Sequence, residues 1–295
     1  MYKTITLSEI GAMEAQSYLQ HAIAPRPICF ASTIDLQGNV NLSPFSFFNL
    51  FSSNPPIVVF SPARRGRDNT TKHTLDNVLE VPEVVINICD YAMVQQVSLS
   101  SCEYPKGTDE FIKAGFTKVS SVMVTPPRVK ESPIQLECKV LEIKPLGNMG
   151  GAGNLVIAAV LLMHINENVL AADGKIDQRK LDLIARLGGN WYTRANASTI
   201  FEVEKPNTQL GIGIDALPFS IRNSTIFTGN NLGQLGNVHE IAFVNPSFFD
   251  DQLKNIIQYY SINPVEMETE LQHYAKKLLD VGKVNEAWQV LLASN

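Results

Sequence analysis

A chain of 295 residues, 45% of them hydrophobic and 18% charged, is long enough to bury one large domain and a smaller appendage. Its net charge of -5 argues against a nucleic-acid binder, because an acidic balance repels phosphate backbones and no basic stripe interleaved with aromatics occurs outside residues 64–72. The start Met1-Tyr2-Lys3-Thr4-Ile5-Thr6 lacks the basic and apolar blocks of a secretory signal, and no apolar run approaches a membrane span, so the expected location is cytoplasmic, with no membrane partner.

In chain order, a helix is expected from Ser8 to His21. A hairpin follows, with an apolar, β-prone strand from Ile28 to Ile34, turn residues Asp35-Leu36-Gln37-Gly38-Asn39, and a second strand from Val40 to Leu42. Pro44 should stop that strand, leaving Ser43-Pro44-Phe45-Ser46-Phe47-Phe48-Asn49 as an exposed loop of alternating hydroxyls and aromatics. Such a loop suits a flat aromatic cofactor, which needs apolar surface on its faces and donors along its edge; the same Phe residues can equally fill a core.

A strand at 56–61 leads into Ser61-Pro62-Ala63-Arg64-Arg65-Gly66-Arg67-Asp68-Asn69-Thr70-Thr71-Lys72-His73-Thr74, which reads as a phosphate cradle. Helical spacing from Lys72 to Leu79 places Lys72 and Thr74 near a first helical turn, where unpaired backbone donors favour an anion. Lys72 supplies a point charge and Thr74 a hydroxyl, whereas Arg64, Arg65 and Arg67 read individually as a solvated face.

Further strands are expected at 84–89, 134–143 and 155–165, with helices from Tyr91 to Leu99 and around Lys180 to Arg186, the latter capped by Asp177. The run Gly147-Asn148-Met149-Gly150-Gly151-Ala152-Gly153 lacks dinucleotide-fingerprint spacing and reads as a mobile hairpin loop. Many strands and few long helices imply a mainly β protein, an antiparallel barrel with peripheral helices.

Beyond Pro206 the character changes. A glycine- and asparagine-rich stretch, Thr228 to Asn237, reads as loop, followed by an amphipathic helix from Ser247 to Tyr260. Another starts with Asn263 as cap, Pro264 in the first turn and Glu266 completing a capping box, and a last one carries Val284, Ala287, Trp288, Leu291 and Leu292. Residues 1–205 are thus expected to form the barrel domain and 206–295 a loop and helical extension packing on the barrel or on a dimer.

Acid–base and metal machinery is sparse: the five histidines are scattered, and no metal-ligand pair, nucleophile elbow or Walker loop occurs. The four cysteines, at 29, 89, 102 and 138, read as reduced thiols, with Cys102 the one to test for reactivity. His164, inside an apolar run, reads as a satisfied buried side chain.

The Arg26-Pro27 opening, the loop Ser43 to Asn49, Lys72-His73-Thr74 with Asn77, the run Ser101 to Phe111 and Leu187-Gly188-Gly189-Asn190-Trp191-Tyr192-Thr193-Arg194 occur in an order that resembles the flavin reductase-like family over roughly residues 20–200. Members of that family commonly show Lys-Asp-Thr where this chain has Lys72-His73-Thr74. The resemblance implies an FMN-binding split barrel that forms homodimers. It implies that Pro27, Ser43, Pro44, Ser46, Phe47 and Asn49 face the flavin, that Ser61, Lys72 and Thr74 hold its phosphate, and that Tyr192 and Arg194 close the site, from the same chain or its partner. The implied activity is reduction of flavin by NADH or NADPH, with a monooxygenase or other protein as acceptor. A flavoredoxin-like carrier or a non-catalytic flavin-binding or assembly module are the alternatives. Hydride passes directly between stacked rings, so no side chain is assigned as catalytic and no metal is required.

Overall fold

A 3₁₀ turn, Leu7–Glu9, opens the fold and is separated from helix α1, Ala12–Ala22, by extended backbone at Ile10 and Gly11, so the single helix expected from Ser8 is broken there. The computed structural model describes residues 1–203, 205–206 and 209–293. They fall into two units, Met1–Phe201 and Glu202–Asn295.

In the first unit, α1 is closed by Arg26 of the short strand β1, Arg26–Pro27. Its guanidinium donates to the carbonyls of Gln20 at 2.5 Å and Ile23 at 2.6 Å, supplying the donors that a helix C-terminus lacks. Strand β2, Cys29–Ile34, pairs with β3, Val40–Phe45, in the expected hairpin register, from Cys29 opposite Phe45 to Ile34 opposite Val40. The turn is built by Asp35, whose carboxylate accepts the N–H of Gln37 at 3.0 Å and of Asn39 at 2.8 Å, and by Gly38 at φ +87°.

The expected break at Pro44 does not occur. β3 runs through it to Phe45, because β3 is an outer strand and a missing N–H there costs no ladder bond. Only Ser46 and Phe47 separate it from β4, Phe48–Ser53, so most of the expected loop is strand. β5, Pro56–Phe60, follows, then helix α2, His73–Glu80, and β6, Glu83–Ile88. The next helical segment is a 3₁₀ turn, Tyr91–Met93, running into α3, Val94–Leu99. After α4, Glu110–Ala114, come the paired short strands β7, Lys118–Val119, and β8, Arg128–Val129. The long strands β9, Ile134–Pro145, and β10, Asn154–Ile165, complete an antiparallel sheet in the order β3-β2-β6-β9-β10-β5-β4.

That order forces closure. Laid flat, seven strands would hold the outer two about 29 Å apart at about 4.8 Å per step. The link from Phe45 to Phe48 spans at most about 10 Å. The sheet therefore curls until β3 and β4 meet at Ser46-Phe47, giving a barrel with an unpaired seam; two register shifts in the β9–β10 ladder help it bend. β2 is buried on both faces: Cys29 and Ala31 join Phe45, Phe60, Val84, Ile86 and Val156 in one core, while Phe30 joins Leu42, Val97, Phe111 and Phe116 in another.

The helix expected around Lys180 to Arg186 is a single turn, α5, Gln178–Leu181, capped by Asp177 as expected. Asp182, at φ +50°, ends it, and β11, Leu183–Arg186, joins β12, Tyr192–Ala195, and β1 in a three-stranded sheet.

The second unit is helical. After α6, Phe219–Arg222, the stretch expected as loop contains α7, Gly229–Gly236. Its start is stabilised by a reciprocal cap in which Asn231 N–H donates to Thr228 Oγ1 at 3.2 Å and Thr228 N–H to Asn231 Oδ1 at 3.0 Å. α8, Asp251–Tyr259, begins later than Ser247 because Asp250 is its cap, leaving Phe249 exposed. α9, Pro264–Asp280, is capped by Asn263 through the N–H of Glu266, without the reciprocal bond seen at Thr228, and α10, Val284–Leu292, follows. Leu235, Leu271, Ala275, Leu279, Ala287 and Trp288 form the centre of this unit. No helix among the described residues is long and apolar enough to cross a membrane.

Candidate functional site

The end of β3, the start of α2 and the segment after α3 converge on a cleft. Asn41, Ser43, Pro44, Arg65, Lys72, His73, residues 100–104 and Glu110 line it; its empty volume is about 360 Å³ including the solvent at its mouth. Lys72 is the N-cap of α2 and no side chain caps that helix start, so backbone donors of the first turn remain for a ligand.

Lys72 is half-buried, with Nζ 5.6 Å from the centre of the Phe45 ring, and among the described residues no carboxylate comes within ion-pair distance. Burial first, and Arg65 second, hold its ammonium below the ordinary lysine value. A desolvated cation beside another cation is stabilised by an anion bound between them. Arg65 is fixed for that role: it donates to Thr70 Oγ1 at 3.0 Å and to the Thr71 carbonyl, and its guanidinium lies 3.4 Å from Glu103. Arg64 is spent on shaping the loop, donating to Asn69 Oδ1 at 2.7 Å, while Arg67 points outward and pairs with Glu103 at 3.0 Å. The 147–153 turn is tied to this loop by the Arg64 N–H to Ala152 carbonyl bond at 2.8 Å and the Gly151 N–H to Arg64 carbonyl bond at 2.9 Å.

Of the residues expected in the site, Ser43, Pro44 and Lys72 line the cleft together. Ser46 and Phe47 continue from it at the barrel seam, and Ser61 is joined to them by its N–H, which donates to the Phe47 carbonyl at 2.9 Å. Ser61 Oγ also faces Gly153, where an added Cβ would approach to 2.6 Å. Asn49 lies on β4 opposite Val59, with its side-chain oxygen taking the Leu50 N–H at 2.8 Å.

The Thr74 side chain is fully buried and its hydroxyl donates to Asn41 Oδ1 at 2.6 Å, so it sits beneath the cleft and not in its lining. Tyr192 and Arg194 are also placed differently from the expectation within this chain. They belong with Pro27 to the three-stranded sheet and do not line the cleft. Arg194 grips Asp182 at 2.5 and 2.6 Å and stacks 3.9 Å from the centre of the Tyr91 ring; Tyr192 lies under Arg186. Gly188 and Gly189 form the β11–β12 turn, leaving Trp191 exposed.

Sequence reasoning read Arg65 as a solvated side chain and did not place Asn41 or Glu110 at the cleft, although all three line it; His73 is the one histidine that the sequence put beside the site, and it lines the cleft too. Glu110 is buried and accepts Asn41 Nδ2 at 3.0 Å and the Leu42 N–H at 3.0 Å; burial pushes its carboxyl above the usual range. Through Asn41 it ties α4, β3 and α2 into one support under the cleft. The available signal was Asp109, whose side chain caps α4 and so fixes Glu110 at its first residue. Cys29, Cys89 and Cys138 are buried free thiols, and Cys102 is exposed at the cleft. His164 is half-buried, bonded to Glu137 at 2.7 Å.

Comparison with known proteins gives these features a context. A family model described as a flavin reductase like domain matches residues 21–180. A protein of Halalkalibacterium halodurans, BH2278, is 37% identical over 187 residues, covering 63% of this chain and 88% of its own. Nitrilotriacetate monooxygenase component B from Bacillus cereus superposes with a TM-score of 0.64 at 29% identity, over 69% of this chain and 99% of its own. A putative flavin reductase with a split barrel domain from Shewanella frigidimarina superposes with a TM-score of 0.58 at 24% identity, over 68% of this chain and 96% of its own, and so shares the fold.

Proposed function

The chain belongs to the flavin reductase-like family, and from that premise we propose that it binds FMN in the Lys72 cleft and catalyses reduction of flavin by NADH or NADPH. The observation that carries the reading is the half-buried Lys72, without an ion-pair partner among the described residues, at a helix start that no side chain caps, beside Arg65 and next to the hydroxyl and aromatic groups of residues 43–47. Lys72, Arg65 and the first backbone N–H groups of α2 suit the phosphate of a mononucleotide. Ser43, Pro44, Ser46 and Phe47 suit its ring and ribityl chain, with Ser61 and Asn49 flanking. Tyr192 and Arg194, which with Pro27 do not line the cleft of their own chain, are proposed to close the site from a partner copy.

A bound flavin supplies the hydride-accepting ring; the protein binds it, orients it and excludes water from one face. No proton-transfer residue is needed for that step. Similarity to component B of nitrilotriacetate monooxygenase supports a monooxygenase as the acceptor of the reduced product. A homodimer is proposed as well: Leu50 and Phe51 on β4 and Leu161 and Met163 on β10 are exposed, and a second copy would cover them. Anaerobic mixing of the flavin-loaded protein with NADH and with NADPH tests the activity. Rapid bleaching of the yellow colour by either nucleotide is expected. Bleaching only with a reduced protein donor would favour an electron carrier, and none with any donor a binding module.

A further inference from the structure

We propose that His73 is a proton-linked ligand of the phosphate group, so that its contribution to FMN affinity grows as the pH falls while the grip on the uncharged flavin riboflavin does not change. The inference rests on the FMN reading above and adds to it a residue whose side chain that reading did not use.

His73 is the first residue of α2 and lines the same cleft as Lys72 and Arg65. Among the described residues no hydrogen bond is made by either of its ring nitrogens, and the ring is half-buried. An imidazole so placed can donate one bond to an anion when neutral and becomes a third cation of the cluster when protonated. Burial and Arg65 disfavour the charged ring in the empty site, Asp76 opposes them, and Lys106 from the segment before α4 adds to them. Glu103, Glu110, Cys102 and Tyr104 complete the titratable groups lining the cleft, and Asp35 of the β2–β3 turn lines with Lys106 a smaller adjoining cavity that His73 also faces. Of the two carboxylates, Glu103 is paired with Arg65 and Arg67, and Glu110 is buried under Asn41. A phosphate between Lys72 and Arg65 would reverse the balance at His73, raising its proton affinity.

The direction follows from linkage. A group that gains proton affinity on binding strengthens the complex below its free-state pKa and loses that contribution as pH rises through its bound-state pKa. The phosphate's own second ionisation, at about 6, works the other way, and it cancels in the ratio of wild type to variant.

The experiment is fluorescence titration of wild type and His73→Gln with FMN and with riboflavin from pH 5.5 to 8.5, and calorimetry of FMN binding to both in two buffers of different ionisation enthalpy. The affinity advantage of wild type for FMN should grow about tenfold from the alkaline to the acid end if binding raises the His73 pKa by about one unit. Riboflavin should show no such trend, and wild type should take up more protons near neutral pH than the variant. A ratio flat with pH, or equal proton uptake, overturns the role of His73 while leaving FMN binding intact; failure to bind FMN at all overturns the underlying reading instead. If His73→Gln does not fold, His73→Asn replaces it in the same titrations and calorimetry, where the phosphate contribution again cancels: an affinity ratio that grows toward acid pH with greater proton uptake by wild type supports the proposal, and a flat ratio or equal uptake contradicts it.

Discussion

Thr74 Oγ1 donates to Asn41 Oδ1 at 2.6 Å, locking the first turn of α2 onto β3 below the cleft. Both side chains are buried, so the bond is a structural one. Thr74→Val should lower stability by about 1–2 kcal/mol, the usual cost of leaving a buried acceptor without its donor. Denaturant midpoints measure this. FMN and riboflavin affinities should fall together, if at all; a selective loss of FMN with unchanged stability would return Thr74 to the phosphate site.

Lys72 makes a second case, in which stability and binding oppose one another. Its folded-state pKa lies below the ordinary 10.5, so the folded protein holds fewer protons than the unfolded chain and gains stability as pH rises toward that value. At neutral pH the buried charge is a cost. Lys72→Met keeps the packing on Phe45, so the flavin-free variant should melt higher than wild type at pH 7 and lose the alkaline rise. Its FMN affinity should drop about tenfold or more, with riboflavin little changed. A lower melting temperature would contradict this account of Lys72.

Glu103 bridges Arg65 at 3.4 Å and Arg67 at 3.0 Å, and so competes for the cation expected to meet the phosphate. An exposed pair of this kind contributes at most about 1 kcal/mol. Glu103→Gln should therefore raise FMN affinity by about twofold to fivefold at low salt, with little change in stability. Titration at two salt concentrations checks it, since the gain should shrink as salt rises.

Glu137 is fully buried, and its carboxylate accepts the N–H of Val122 at 2.9 Å and of Met123 at 2.6 Å as well as His164. Burial pushes its pKa up, but these bonds outweigh burial and hold it below the ordinary 4.5. The stability it contributes is present above that value and is lost as pH falls through the lower folded-state value. Glu137→Gln should cost about 1–3 kcal/mol at pH 7 and weaken the acid dependence, read from unfolding curves at pH 7 and pH 4.

The hairpin at 28–45 was legible because Asp35 and Gly38 are the residues its turn requires, and the strand alternation around them is plain. Pro44 misled, since a proline ends a central strand but not an outer one, and strand order is a long-range property. The position of Lys72 at a helix start was recognisable from spacing alone, and the structure has it as the N-cap of α2. Thr74, two residues on, was not separable from it, because only the packing of Asn41 beneath α2 decides where the hydroxyl points. Arg65 and Arg64 are neighbours of the same type, yet Asn69 claims one and the cleft receives the other; that division depends on loop geometry. In the second unit, Gly229 to Gly236 looks like loop by propensity and folds as helix because Thr228 and Asn231 cap each other and Leu235 is buried.

Parallel equilibrium titrations of the flavin-free protein with FMN and riboflavin, followed by flavin fluorescence, probe the Lys72 and Arg65 cleft through the single phosphate that distinguishes the two ligands. FMN should bind about tenfold or more tightly than riboflavin, and the difference should narrow in Lys72→Met. Equal affinity for both flavins, or no binding of either, would contradict a phosphate held at Lys72.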